Sequence, residues 1–478
     1  SWRADSSPMA AAATRAPSWA DPWIELGLME LQFGRNEKAT EALERATSLD
    51  PFNIRAENSL RLVKELAGYA RIETPHFIIR HKPGLDGIVA REMVEPLEQN
   101  HARVTGKDKG GIDFETGSRT TIELYPDHEW FAVRIAGMPR LHTIAAATGP
   151  VIAMEAPRSG PNHLVGPYDW VRVVRHEYVH TVTLARTKNR IPHWFTEAAA
   201  VYLEDAPRDW NAVQILATAY RDDALFDFEE INLAFVRPKK PTDRSQAYAQ
   251  GHWMYEFIIE RYGARAPLDL MDEYAAGVKE PEAFPKVLKV SREEFLEAFK
   301  TWAGGQLRAW GMRPPEGMPE TAEAMAEVSG GKAPEEPTPE VALKALEKYP
   351  THPGLLLAAI TASLPKSRGA PTAELVPLLE RYAAARPVDP LPHKLLTTWY
   401  LSGGGKDLPG ATDRVIEHLE FLDAREQYTA AYATELANRY GSRGEWEKAW
   451  AKALRAVRIA PYDAGARETA ATGAGLRK

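Results

Sequence analysis

Cysteine is absent from the 478 residues, which removes disulfides and thiolate ligands together. Any metal this chain holds must therefore sit on histidine and carboxylate. Long apolar runs are missing too. No stretch approaches the roughly 20 consecutive apolar residues of a membrane span. Charge of one sign is also lacking, since 59 Lys and Arg stand against 66 Asp and Glu for a net −7. That balance carries no electrostatic footprint for nucleic acid or an anionic membrane. The absence of cysteine suits oxidising and reducing compartments alike. The start, SWRADSSPMAAAAT, has neither an initiator Met nor a charged-then-apolar signal pattern, and reads as a trimmed or processed end. The compartment stays open, with a periplasmic or extracellular location slightly favoured over the cytoplasm.

What is present belongs to a folded chain: 44% hydrophobic residues, 26% charged, 13 Trp and 17 Tyr. The length exceeds one ordinary core and predicts two to four domains. Residues 1–18 read as a disordered tail. In PWIELGLMELQFGRNEKATEALERATSLDP, Trp23, Leu26, Gly27, Ala39, Leu43, Ala46 and Pro51 fall at the spacing of a tetratricopeptide repeat. Small Gly27 and Ala39 let two helices approach, and Pro51 ends the second. Residues 19–70 are thus predicted to be repeat-like helices.

From residue 71 the pattern changes. HFIIRH (76–81) and TTIELYP (120–126) are short β-rich runs with a helical stretch, about 87–104, between them. TIAAATGPVIAME (143–155) reads as one or two strands turning near Gly149 and Pro150. Helices then dominate to about residue 305. Residues 306–338 are rich in Pro, Gly and Glu and read as a linker. Residues 339–478 read as stacked helical hairpins, the clearest being the last, marked by Leu436, Ala437, Tyr440, Ala449, Ala456 and Pro461.

The chemistry concentrates in VRVVRHEYVHTVTL. On a helix, i and i+4 lie one turn apart on one face, so His176 and His180 can aim two imidazoles at one point. Glu177, rotated by about 100°, cannot easily ligate beside them. It is placed to take a proton from a water that the metal activates. Two solvent-facing histidines on an ordinary helix would carry the same letters. After 16 further residues, however, Glu197 lies in IPHWFTEAAAVYLE, a second helix opened by Pro192. Flanked by Trp194, Ala198, Ala199 and Val201, that carboxylate would be costly to bury unpaired. Two histidines and one glutamate are three ligands, and they leave the fourth position that a catalytic zinc ion, Zn2+, needs open.

HEYVH, PHWFTEAAAVYLE and AYAQGHWMYEFIIERYG (247–263) together resemble the gluzincin metallopeptidases, specifically the peptidase MA-like domains found beside tetratricopeptide repeats. The resemblance runs from HFIIRH to about Gln306. It implies an α+β metallopeptidase domain over 71–305, a mixed sheet plus helices with the HExxH helix at its site, flanked by all-α tetratricopeptide-like repeats. It implies zinc on His176, His180 and Glu197, Glu177 as general base, and a peptide or protein substrate. It also implies that Tyr248 donates to the oxyanion, with His252, one turn on, as the alternative donor. By the same resemblance GPVIAME (149–155) is the edge strand that pairs with substrate, and Glu155 superficially resembles an amine-binding glutamate. Relatives usually carry Glu-Gly where this chain has Glu197-Ala198. The repeats offer a scaffold or a surface for a protein partner. The competing expectation is a repeat-based binding protein whose peptidase fold is vestigial.

Overall fold

The computed structural model describes residues 5–332, 338–364, 371–405 and 410–476. Among the described residues the fold is mostly helical, with one five-stranded mixed sheet.

Four helices open it: Ser7–Arg15, Ala20–Gln32, Asn36–Leu49 and Ile54–Leu66. Gly27 permits the close crossing of the second and third, because a Cβ there would meet Leu43 Cγ at 2.6 Å. Ala39, Leu43 and Ala46 are buried at that contact. The expectation of a disordered tail fails for residues 7–15. Pro8 opens a helix there, four alanines sustain it, and Ala13 is buried.

The sheet runs β1 (Ala70–Glu73), β2 (Phe77–His81), β3 (Thr120–Tyr125), β5 (Val151–Glu155), β4 (Ala145–Ala147), in that spatial order. β2, β3 and β5 are parallel, while β1 and β4 run antiparallel at the two edges. Alternation along the central strands divides their side chains between two cores. Ile122, Leu124, Ile152 and Met154 face the main core. Tyr125 and Ala153 face the other way, onto a cluster holding Leu31, Leu62 and Phe131. The N-terminal helices therefore cover the back of the sheet. This topology corrects the expected edge strand: GPVIAME forms β5, an interior strand buried along its whole length. A continuous apolar run is the signature of a strand covered on both faces.

The residues expected to be a linker hold structure as well. Helix Arg292–Ala309 runs into them, and Thr321–Val328 forms a further helix whose Ala324 and Met325 belong to the C-terminal core. Gly311 adopts positive φ where a Cβ would collide with the Ala385 carbonyl. Here glycine and proline serve a tight contact and helix starts instead of slack chain; residues 333–337 lie outside the described residues. Among the described residues eight α-helices follow, from Pro339–Lys348 to Ala464–Leu476, each packed on the next.

Candidate metal centre

The helix Trp170–Arg186 carries HEYVH. Asp169 caps it, accepting from Arg172 N–H at 3.3 Å. Its Val174, Tyr178, Val179 and Val182 are buried in the core, which turns His176, Glu177 and His180 to the opposite, partly open face. The second helix, His193–Leu203, begins after Pro192 and buries Trp194, Phe195, Ala198 and Ala199. A third, Asp243–Tyr262, crosses it closely at Gly251. A Cβ at Gly251 would stand 3.5 Å from the Trp194 carbonyl oxygen and 3.6 Å from the Ala198 methyl. Both are ordinary contact distances, so the Ala198 methyl packs against this helix without strain.

These helices bring His176, His180 and Glu197 together, with one ligand atom of each within 4.8 Å of the others. The imidazole planes of His176 and His180 stand at 78° to one another. Glu197 Oε2 lies 3.4 Å from His176 Nε2 and 3.3 Å from His180 Nε2. Tetrahedral zinc with bonds near 2.0–2.2 Å separates its ligand atoms by about 3.3–3.5 Å, so both distances match edges of that tetrahedron. Glu197 Oε2 is also buried with no hydrogen-bond partner within the chain, the orphaned acceptor that a cation at this point would satisfy. The donor set, two neutral imidazoles and a carboxylate, suits zinc.

Surrounding groups orient the ligands. His176 Nδ1 lies 2.8 Å from Glu204 Oε1, and His180 Nδ1 lies 2.9 Å from Thr196 Oγ1. With the proton on Nδ1, each Nε2 lone pair is left for a metal. His193 Nε2 holds the other Glu197 oxygen at 3.1 Å. Burial raises the Glu197 pKa, but the surrounding histidines outweigh it and hold the carboxyl well below its usual range. For His176, burial acts downward, yet the carboxylates of Glu197 and Glu204 beside it raise its pKa well above 6.5. A proton and a metal ion therefore compete for the same negatively charged pocket.

Glu177 points at the sheet edge, where Ala147 N–H donates to its Oε2 at 2.8 Å. Tyr248 stands beside the ligands, its ring 6.3 Å from that of His176 and edge-on to Phe235. Burial and the Glu197 and Glu177 carboxylates push its pKa up, keeping the phenol a hydrogen-bond donor. His252 is differently engaged: Nδ1 accepts from Arg208 at 3.2 Å, and Nε2 lies 3.3 Å from Glu256. Burial and two arginines depress its pKa well below 6.5. Glu155 is buried, with His128 and His163 on its two oxygens at 2.8 Å each, which leaves it no free edge towards a substrate amine.

A cleft of about 410 Å³ adjoins His176 and Glu177. Val173, Val201, Ala212 and Ile215 give it an apolar side, with Arg172 and Arg208 among its polar groups. The sequence reading missed Glu204 and Thr196. Glu204 lies seven residues, two helical turns, after Glu197 and so on the same face, a signal that was present.

Residues 166–304 match the family model of the Peptidase MA superfamily, and all three helices of the site fall inside that segment. The match supports a peptidase MA-like domain there; the sheet lies upstream of it. No curated protein matches the chain.

Proposed function

We propose that this protein hydrolyses peptide bonds in a zinc-dependent, gluzincin-like site. The observation that carries the reading is the convergence of His176 Nε2, His180 Nε2 and Glu197 Oε2 at tetrahedral spacing, with Glu197 Oε2 buried and without a hydrogen-bond partner. His176, His180 and Glu197 would hold the ion, which supplies Lewis-acid polarisation and lowers the pKa of water towards neutrality. Glu177, oriented by the Ala147 amide, takes the proton of the attacking water as the new C–O bond forms. It returns that proton to the departing amine nitrogen as the C–N bond breaks. Tyr248 O–H donates to the tetrahedral oxyanion, where negative charge develops. Glu204 and Thr196 keep the imidazoles in the ligating tautomer.

The helical hairpins on either side are read as tetratricopeptide-like repeats, a scaffold with a surface for a protein partner. No helix among the described residues is long and apolar enough to cross a membrane; a periplasmic or extracellular location is proposed.

The test is turnover of a fluorogenic peptide library by the full chain, before chelation, after it, and after zinc is restored. Cleavage that disappears and returns with the metal is the expected result. A chain that retains zinc and cleaves nothing would contradict the hydrolase reading and favour a vestigial fold used for binding.

A further inference from the structure

The C-terminal helices build part of the site. Their loop 426–430, between helices Ala411–Arg425 and Ala431–Ser442, reaches the start of the HEYVH helix. Asp169 N–H, at the cap of that helix, donates to the Gln427 carbonyl at 2.7 Å. Arg455 clamps the junction, donating to Asp169 Oδ2 at 2.8 Å, to Asp423 Oδ1 at 3.0 Å and to the Glu426 carbonyl at 2.6 Å. Further out, Tyr462 O–H donates to Asp86 and Arg467 pairs with Glu92. The loop is thus held by charge-assisted bonds on both sides of the junction.

Held there, Gln427 and Tyr428 line the same cleft as His176 and Glu177. Tyr428 also lines a second, more polar groove of about 660 Å³ bounded by Pro157, Arg158, Ser159 and Thr434. Tyr428 is thus common to the linings of both spaces. Tyr428 is 52% exposed, so its place is set by the backbone clamp more than by packing of the ring. On the cleft side the half-buried aliphatic residues Val173, Val201, Ala212 and Ile215 offer apolar surface to an occupant. Arg172 is neutralised by Glu204 and Arg208 by Glu256, so neither is left to select an acidic side chain.

We propose that Tyr428 is a specificity-determining residue: the cleft takes an apolar substrate side chain near the scissile bond, and the Tyr428 ring sets how large it can be. This rests on the hydrolase reading and deepens it. A chain length of 250 residues separates Tyr428 from Glu177, so the C-terminal helices act here as a wall of the substrate site.

The experiment compares the zinc-loaded full chain with Tyr428→Ala and Tyr428→Phe, on short peptides that vary one residue beside the cleaved bond from Ala through Leu and Phe to naphthylalanine. Tyr428→Ala opens the cleft into the neighbouring groove. It is expected to raise kcat/KM for naphthylalanine relative to Leu at least tenfold, with zinc content unchanged, while Tyr428→Phe keeps the wild-type ranking. An unchanged ranking in Tyr428→Ala, with zinc bound and peptides cleaved, overturns the inference and leaves the hydrolase reading standing. If the zinc-bound chain cleaves nothing, the hydrolase reading fails. The same side chains on peptide hydroxamates then read the cleft by binding alone, where a size ranking that ignores Tyr428→Ala overturns the wall.

Discussion

His76, His101 and Glu115 form a second group with the composition of His176, His180 and Glu197, their candidate ligand atoms likewise within 4.8 Å of one another. In both groups the Nδ1 atoms are engaged, for the second by Glu98 at 2.6 Å and Tyr178 at 2.8 Å. The difference lies in orientation and cover. The imidazoles of His76 and His101 are stacked 3.5 Å apart with planes only 13° from parallel, whereas those of His176 and His180 stand at 78°. Lone pairs lie in the ring plane, so nearly parallel rings direct them side by side and cannot share an ion. The Glu115 side chain is 65% exposed and that of Glu197 10%. Water can satisfy the first carboxylate; the second has an oxygen without a partner. Residue type and proximity alone do not make a metal centre.

Four outcomes sharpen or break this contrast. Glu177→Gln removes a base and no ligand, so turnover should fall about 10²–10⁴-fold while zinc stays; zinc lost with the activity would reverse its role with that of Glu197. Tyr248→Phe should lower kcat about 10²–10³-fold with little change in KM, since the donor acts chiefly on the transition state. A hundredfold loss in His252→Ala alongside an unaffected Tyr248→Phe would move the donor to His252. Glu204→Gln should weaken zinc affinity about 10–100-fold through His176, measured by competition with a chelator. Glu98→Gln, the matching change beside His76, should leave the affinity unaltered.

The smallest effect concerns protons at the stacked pair. Burial, opposed by Glu115 and aided by His76, holds the His101 pKa below 6.5. The unfolded chain then binds more protons than the folded one below that pH. This contribution to stability is complete above about 6.5 and is lost as pH falls towards the folded value. Thermal melts should show Tm declining over that window with the decline shallower in His101→Gln; identical slopes would remove His101 as the cause.

How much of this was legible in the sequence follows from the range of each interaction. His176 and His180 depend only on helical periodicity, and Glu197 needs one further helix, so both could be read locally. The strands at 77–81 and 120–125 were marked by their β-rich composition. The edge strand was misassigned because Ala145–Ala147, short and featureless, carries little pattern, while the unbroken apolar run of β5 should have pointed to the interior. The helix at 321–328 was hidden by the prolines and glycines around it. Tyr428 had no signal at all, since its place in the lining of the cleft depends on how the C-terminal helices dock, through Arg455 and Asp169.

The most direct test of the contrast is zinc stoichiometry by elemental analysis of the full chain, of His176→Ala and of His101→Ala, each after zinc loading and removal of loosely bound ion. One zinc per chain in the wild type and in His101→Ala, and none in His176→Ala, is the predicted result. Two per chain in the wild type, or zinc that survives His176→Ala and leaves with His101→Ala, would contradict it.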